Sequence, residues 1–234
     1  MRWLKSAFGQ PAFHILQDNP LSAADVFQNT RYQKGTMYED LRKNMERHIQ
    51  LSDADFEAFK SFAVLRKLRK RQYLVQQGDY TRHTYYVLKG CVRAFLMDNS
   101  GKEHIIQFAL EDWWIGDITA LVAGTPAELY IECLEDCEVL QIDKDDQEQL
   151  YAMLPKFERF FRIIIQNSLA ATQRRLLCVM SQPAYERYLE FMERYPQIVQ
   201  RVANHHIASY LGITPESLSR LRKEGATRKE REKS

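Results

Sequence analysis

The sequence predicts an α+β fold: helices first, then an antiparallel, jelly-roll-like β-roll, then a long helix, then a small all-helical module. Three observations carry this. Residues 73–142 hold a series of short β-rich runs separated by turn signals. Residues 157–179 repeat apolar or small side chains at alternating spacings of four and three. Residues 204–223 read as two short helices joined by a glycine.

Composition bounds the class. With 234 residues, the chain can hold one large domain or two modest ones. Its 45% hydrophobic and 27% charged residues are ordinary for a soluble globular protein and exclude a disordered or collagenous chain. The net charge of +2 excludes a generic polycation. The charge is uneven, however: from Arg201 onward, eight Lys and Arg face four Glu, so the C-terminal module is basic on a near-neutral body. Cys91, Cys133, Cys137 and Cys178 form no CxxC pair, which points to reduced thiols and a cytoplasmic protein. Cys133 and Cys137 are expected to point inward from adjacent strands. No stretch is apolar enough to span a bilayer, and the N-terminus lacks a signal-peptide core, so no membrane partner is expected.

The elements follow in order. Residues 1–36 have mixed polarity, Pro11 and Pro20, and no sustained period, so they read as a poorly ordered extension. Met37, which opens a helical pattern, is a candidate start. Leu41, Met45, His48 and Ile49 recur at helical spacing, and Ser52-Asp53-Ala54-Asp55 starts a second helix carrying Phe56, Phe59 and Phe62. The basic cluster Arg66–Arg71 reads as a solvated strand or turn edge. The β-rich runs are 73–75, 84–88, 91–96, 105–108, 130–133 and 138–142, with turn signals at Gly78-Asp79, Lys89-Gly90, Asn99-Ser100-Gly101 and Gly116-Asp117. From Gln147 to Met180 the pattern is helical. Phe157, Phe161, Ile164, Ser168 and Ala171, continued by Arg175 and Cys178, form a heptad seam; Ile165, Leu169, Thr172, Leu176 and Val179 form another. Two seams imply two partners, the β-roll and the same helix of a second subunit. The small Ser168 and Ala171 allow close approach, so the first seam is assigned to a homodimer. A core helix within one subunit is the alternative. The expected domains are a sensor roll at 37–150, a dimerisation helix at 151–181, and a helical module with a charged tail at 182–234.

The last module is the most specific part of the chain. Ile207, Ala208 and Leu211 give its first helix a small apolar face. Gly212 closes that helix in the left-handed region. Thr214-Pro215-Glu216 starts the second helix with an N-cap, a first-turn proline and an acid at the positive end of the dipole. Leu218 and Leu221 turn back toward Ile207 and Leu211. Glu216, Arg220 and Lys223 then form a stripe on the opposite side. An arginine can pair with the guanine edge and a glutamate with cytosine, while Ser217, Ser219 and Arg222 can reach bases or phosphates. With Thr214, these residues make a candidate surface for double-stranded DNA, the recognition helix of a helix-turn-helix.

The blocks Gly78-Asp79, Tyr86-Val87-Leu88-Lys89-Gly90, Gly101-Lys102-Glu103, Gly116-Asp117 and Ile207–Arg220 together resemble the Crp/Fnr superfamily of bacterial transcription regulators, over about Met37 to Lys223 and with wording similar to Bacteroidetes members. The resemblance implies a homodimer that binds DNA under control of a small effector. In the cyclic-nucleotide binders of that superfamily, a short helix after a Gly-Glu pair and a nearby arginine hold the cyclic phosphate. Here the resemblance places an effector pocket at Gly116, Asp117, Ile118 and Thr119, with Thr172 and Gln173 from the long helix. Asp117 replaces the glutamate, residues 118–130 contain no Arg or Lys, and Glu128 stands near the expected cation. An acid beside a phosphate is repulsive, which argues against tight cyclic AMP binding. No Cys precedes Cys91, so the iron–sulfur cluster of the oxygen-sensing branch is not expected. The strand-rich wing that often follows the recognition helix is also missing from the pattern, and residues 225–234 read as a solvated tail.

Two other readings stay open. A cupin-like metalloenzyme would need clustered ligands, whereas His83 and His104 stand apart, so no metal, no cofactor and no enzyme activity are expected. A ligand-binding module with a decayed helix-turn-helix is opposed by the intact Thr214 cap and by Arg220 and Lys223.

Overall fold

The computed structural model describes the backbone of residues 34–231 and the side chains of residues 38–224. Two helices, α1 (Lys34–Glu46) and α2 (Asp53–Ser61), lead into the roll. The extension expected at 1–36 lies outside the described residues up to 33; helix begins at Lys34 rather than Met37. A capping box starts α2: Ser52 Oγ accepts from Asp55 N–H, and the Asp55 carboxylate accepts from Ser52 N–H at 2.8 Å. The same carboxylate takes Lys156 Nζ at 2.7 Å, and these bonds hold it down at about 2.

The roll is two antiparallel four-stranded sheets. The first runs in the order β1 (Ala63–Leu68), β8 (Cys137–Asp143), β3 (His83–Lys89), β6 (Trp114–Ile115); the second runs β2 (Tyr73–Val75), β7 (Tyr130–Cys133), β4 (Val92–Met97), β5 (Glu103–Ala109). The β-rich runs of the sequence all become strands. β6, two residues long, is too short to show an alternation. The basic cluster is a solvated edge: Lys67 pairs with Glu138 and Arg66 with Gln141 across β1 and β8. Inward-facing Val87, Val92, Ala94, Ile131 and Val139 fill the space between the sheets. Cys133 and Cys137 both point into this core, but from different sheets rather than from adjacent strands. Residues 134–136 carry the chain across, about the reach needed to span sheets roughly 10 Å apart.

Helix α3 (Ile118–Ala123) follows β6, and α4 (Lys144–Met153) follows β8. Leu154 then leaves the helical region before Pro155, so the long helix α5 runs Lys156–Ser181 and starts later than the expected 151. A proline lacks the N–H that a continuous helix would need and disfavours helix in the residue before it.

The first turns of α5 belong to the core. Phe157 stacks on Phe59 at 5.5 Å, and Phe161 meets Trp114 edge-on at 4.9 Å. Phe157 and Phe161, assigned above to a two-fold seam, are therefore buried inside their own chain; Ile164 is half-buried, and only Ser168 and Ala171 of that set are exposed. The outward seam is the neighbouring one: Ile165 is 52% exposed, Leu169 56%, Leu176 58% and Val179 43%. Adjacent heptad seams are indistinguishable by spacing, and the aromatic bulk at 157 and 161 fits the roll better than a close helix pair.

Four helices complete the chain: α6 (Ala184–Arg194), α7 (Pro196–Arg201), α8 (Asn204–Leu211) and α9 (Pro215–Arg231). The charged segment from Gly225 to Arg231, expected as a tail, continues α9 as helix. One glycine costs about 1 kcal/mol in a helix, and Ala226, Arg228, Lys229 and Glu230 are good formers around it. Among the described residues, no helix is long and apolar enough to cross a membrane.

Gly90 closes the β3–β4 turn at φ +103°, where an added Cβ would lie 2.5 Å from Cys137 Sγ and 2.9 Å from the Asp136 carbonyl oxygen. Gly90→Ala combines a strained backbone with a clash against the inter-sheet crossing. It should cost about 2–5 kcal/mol in urea unfolding; a loss below about 0.5 kcal/mol would contradict this packing.

Candidate functional site

The C-terminal helix pair is built by local chemistry. Gly212 adopts φ 68°, ψ 35°. Its N–H donates to the Ser209 carbonyl, and the Ile213 N–H donates to the Ala208 carbonyl, so a Schellman motif ends α8. Thr214 Oγ1 accepts from Ser217 N–H at 3.2 Å and lies 3.1 Å from Ser217 Oγ. Ile207, Ala208, Leu211, Leu218 and Leu221 are all buried, and Ala208, fully covered, sets how closely the helices cross.

The opposite face of α9 is open. Glu216, Ser219, Arg220, Arg222 and Lys223 are exposed and Ser217 is half-buried. Three of the sequence-predicted contact residues are engaged within the chain. The Thr214 and Ser217 hydroxyls serve the cap, and Arg222 Nη1 donates to Asn204 Oδ1 at the start of α8. The Glu216 carboxyl is held below its ordinary value by its own backbone N–H and by Thr214. Glu216, Ser219, Arg220 and Lys223 form the outward face.

Sequence reasoning missed how this pair is held against the roll. β5 is an edge strand, with backbone groups that no neighbouring strand pairs. Side chains from two helices satisfy them. Ser209 Oγ accepts from Ile105 N–H at 3.0 Å and donates to the Glu103 carbonyl at 2.8 Å. Arg175, from α5, donates to the carbonyls of Ile106 (2.6 Å), Ile105 (2.8 Å) and Tyr210 (2.7 Å), with its guanidinium 4.0 Å above the Tyr210 ring. Burial lowers the Arg175 pKa from its ordinary value. Around this contact, Phe95, Ile105 and Phe108 of the roll share one core with Tyr188, Phe191, Ile198 and Ile207 of the helical module. A charged cluster borders it. Arg93, 5% exposed, donates to Glu132 at 2.6 Å and to Glu103, and meets His206 Nδ1 at 3.0 Å. Arg201 grips Glu111 at 2.7 Å and also reaches Glu135. The available signal was Arg175 itself, a cation at a heptad position otherwise apolar or small.

The expected effector pocket is only partly assembled. Gly116 and Asp117 precede α3 as anticipated, but Asp117 is 2% exposed and fully used. Its carboxylate accepts from Ala120 N–H (3.1 Å), Glu128 N–H (3.0 Å) and Leu129 N–H (3.1 Å). Ile118 and Thr119 are exposed on α3. Thr172 and Gln173 are exposed on α5; Thr172 returns its hydroxyl to the Ser168 carbonyl, and no hydrogen bond among the described residues joins either to Asp117. Glu128 is exposed while Ala127 is buried. A cation does reach α3, but at its far end: Lys144 Nζ donates to the Leu121 carbonyl at 3.0 Å.

The histidines sit apart. His83 lies 3.6 Å from Asp143, with burial lowering its pKa, and His104 lies 2.7 Å from Asp98. No group of metal-ligating side chains converges among the described residues. Trp114 is packed among Tyr86, Phe160 and Phe161.

Residues 65–153 match the cyclic nucleotide-binding domain family. The chain is 26% identical to the transcriptional activator protein FnrA of Stutzerimonas stutzeri over 170 residues, 67% of this chain and 68% of that one. It is 26% identical to the cAMP-activated global transcriptional regulator CRP of Escherichia coli O157:H7 over 153 residues, 65% of this chain and 68% of that one. The relatives that the chain matches are Crp/Fnr-type transcriptional regulators, and its sequence pattern is similar to theirs. Its fold is also that of the c-di-GMP responsive global regulator CLP of Xanthomonas campestris, with a TM-score of 0.62 at 18% identity over 75% of this chain and 92% of that one. FnrA, CRP and CLP are regulators rather than enzymes.

The regulator's docked helix pair carries a pH signature. Burial first, then Arg93 and His205, push the His206 pKa from 6.5 down to about 4, while Glu103 pulls the other way. Between those values the unfolded chain binds a proton that the folded chain refuses, so His206 costs stability as pH falls from 6.5 toward 4 and costs nothing above. His206→Asn should flatten that part of the stability profile relative to wild type. Profiles with identical slopes in that window would show that His206 does not sense this interface.

Proposed function

We propose that this regulator binds duplex DNA as a homodimer and reads it with the outer face of α9. The observation that carries the reading is the division of α9 into a locked inner face, Leu218 and Leu221, and an outward face bearing Glu216, Ser219, Arg220 and Lys223. Arg220 has no hydrogen bond or ion pair among the described residues, so its five donors are available to a guanine edge. Thr214, Ser217 and Arg222 act by shaping α8 and α9, with phosphate contact as a second role.

The dimer forms along Ile165, Leu169, Thr172, Leu176 and Val179, an apolar row too long to be left in water. Ser168 and Ala171 flank it. Two-fold pairing there sets two recognition helices on half-sites about 34 Å apart. Residues 37–150 then serve as the sensor, α5 as the dimer helix, and the chain from about residue 182 as the reader.

CRP is activated by cAMP and CLP responds to c-di-GMP. For this chain we favour a small effector other than cyclic AMP. Asp117 already occupies the Ala120 amide at the start of α3 and the Glu128 and Leu129 amides after it, and Ala127 and Glu128 offer no cation there.

Selection of bound DNA from a random pool tests the reading directly and should return a two-fold symmetric site. On that site, Arg220→Ala should cost about 1–3 kcal/mol and relax one base position, while Lys223→Ala should weaken all sequences alike. Unchanged affinities for both variants at fixed salt would remove α9 as the reader. In analytical ultracentrifugation, Leu169→Glu should yield monomers and about tenfold or weaker operator binding, because it places an unpaired charge in the seam. A Leu169→Glu protein that stays dimeric would place the interface elsewhere.

A further inference from the structure

A cleft where α5 meets α6 and α8 is lined by four arginines and a single glutamate. Arg174 and Arg175 enter it from α5, and Arg187 and Arg194 from α6. One carboxylate, Glu190, faces these four guanidinium groups. Glu190 binds Arg174 at 2.8 Å and Arg194 at 3.4 Å, and Cys178 Sγ and Gln182 Nε2 donate to it at 3.4 Å. Arg175 spends its donors on the carbonyls described above, which carry no net charge. Arg187 is the unusual member. Its Nη1 donates to the Gln182 carbonyl at 2.8 Å, but its Nε is buried without a partner among the described residues. A buried guanidinium donor left unmatched is costly and rare.

The cleft holds about 50 Å³ of free space, room for a few waters or one tetrahedral oxyanion and too little for a whole nucleotide. Planar forked donors converging on such a space suit an oxyanion better than any neutral ligand. We propose that this cleft binds a phosphate-type oxyanion, either inorganic phosphate or the phosphate of a small monoester, held by Arg187 and Arg194 with Arg174 completing the cage. The site lies outside residues 65–153, so it is separate from the cyclic nucleotide-binding region. It joins the long helix to the first helix of the C-terminal module. An anion there ties α6 to α5 and opposes any swing of the reading helices away from the dimer axis.

The test uses the full chain without DNA, so its outcome does not depend on the DNA-reading proposal. Thermal unfolding is followed while sodium phosphate replaces sodium chloride at constant ionic strength, in the low-millimolar range where general salting effects are small. The expected result is a saturable rise in Tm that is specific to phosphate. Arg187→Gln and Arg194→Gln should each shift the phosphate midpoint by about tenfold or more, as loss of a charge-assisted bond requires. If Arg187→Gln does not fold, Arg194→Gln carries the test. Equal Tm in phosphate and chloride overturns the proposal, as does a wild-type midpoint in the variants. If phosphate has no effect but both variants lower the salt dependence of DNA binding, the cleft contacts the nucleic-acid backbone and the small-anion assignment fails.

Discussion

An unpaired strand edge organises this molecule. β5 ends its sheet with open N–H and carbonyl groups, and such an edge must be satisfied by water, by another chain or by side chains. Here Ser209 of α8 and Arg175 of α5 do it from two directions. Arg175 also takes the carbonyl of Tyr210, so one guanidinium holds the roll, the long helix and the C-terminal helix pair at a single point. The shared core of Phe95, Phe108, Phe191 and Ile207 forms around that point. The position of α9 relative to α5 is therefore a property of the roll as well as of the link between α5 and α6.

Much of the fold was legible because it is locally encoded. Gly212 had to be left-handed, Thr214 had to cap, and the leucines of α9 had to turn inward; each follows from a few neighbouring residues. The strands were legible for the same reason, since β-rich runs alternate with turn residues. What failed was information held at long range. Ile105 and Ser209 are far apart in the chain, and neither carries a mark of the other. The seam of α5 failed differently. Its spacing showed two stripes, but only the aromatic partners Phe59 and Trp114 decide which stripe turns inward. The continuation of α9 past Gly225 shows a third limit, a breaker overridden by the good helix formers that follow it.

The candidate site was legible in the outward face of α9 and less so elsewhere. Glu216, Ser219, Arg220 and Lys223 emerged together as the spacing required. Thr214, Ser217 and Arg222 turned out to be tied to the frame that presents them. In the roll, the Gly-Asp pair was found at the right place, but its chemistry was not visible until the partners of Asp117 were known.

Those partners have a consequence for any small molecule that acts on the roll. The carboxylate that closes the loop after β6 is covalently part of the chain, so its effective concentration at the amides of Ala120, Glu128 and Leu129 is set by tethering and does not vary with the contents of the cell. A diffusing anion competing for the same donors would need to outcompete a resident that cannot be diluted. Changes in metabolite level are more readily felt by surfaces of this protein that lack such an internal occupant.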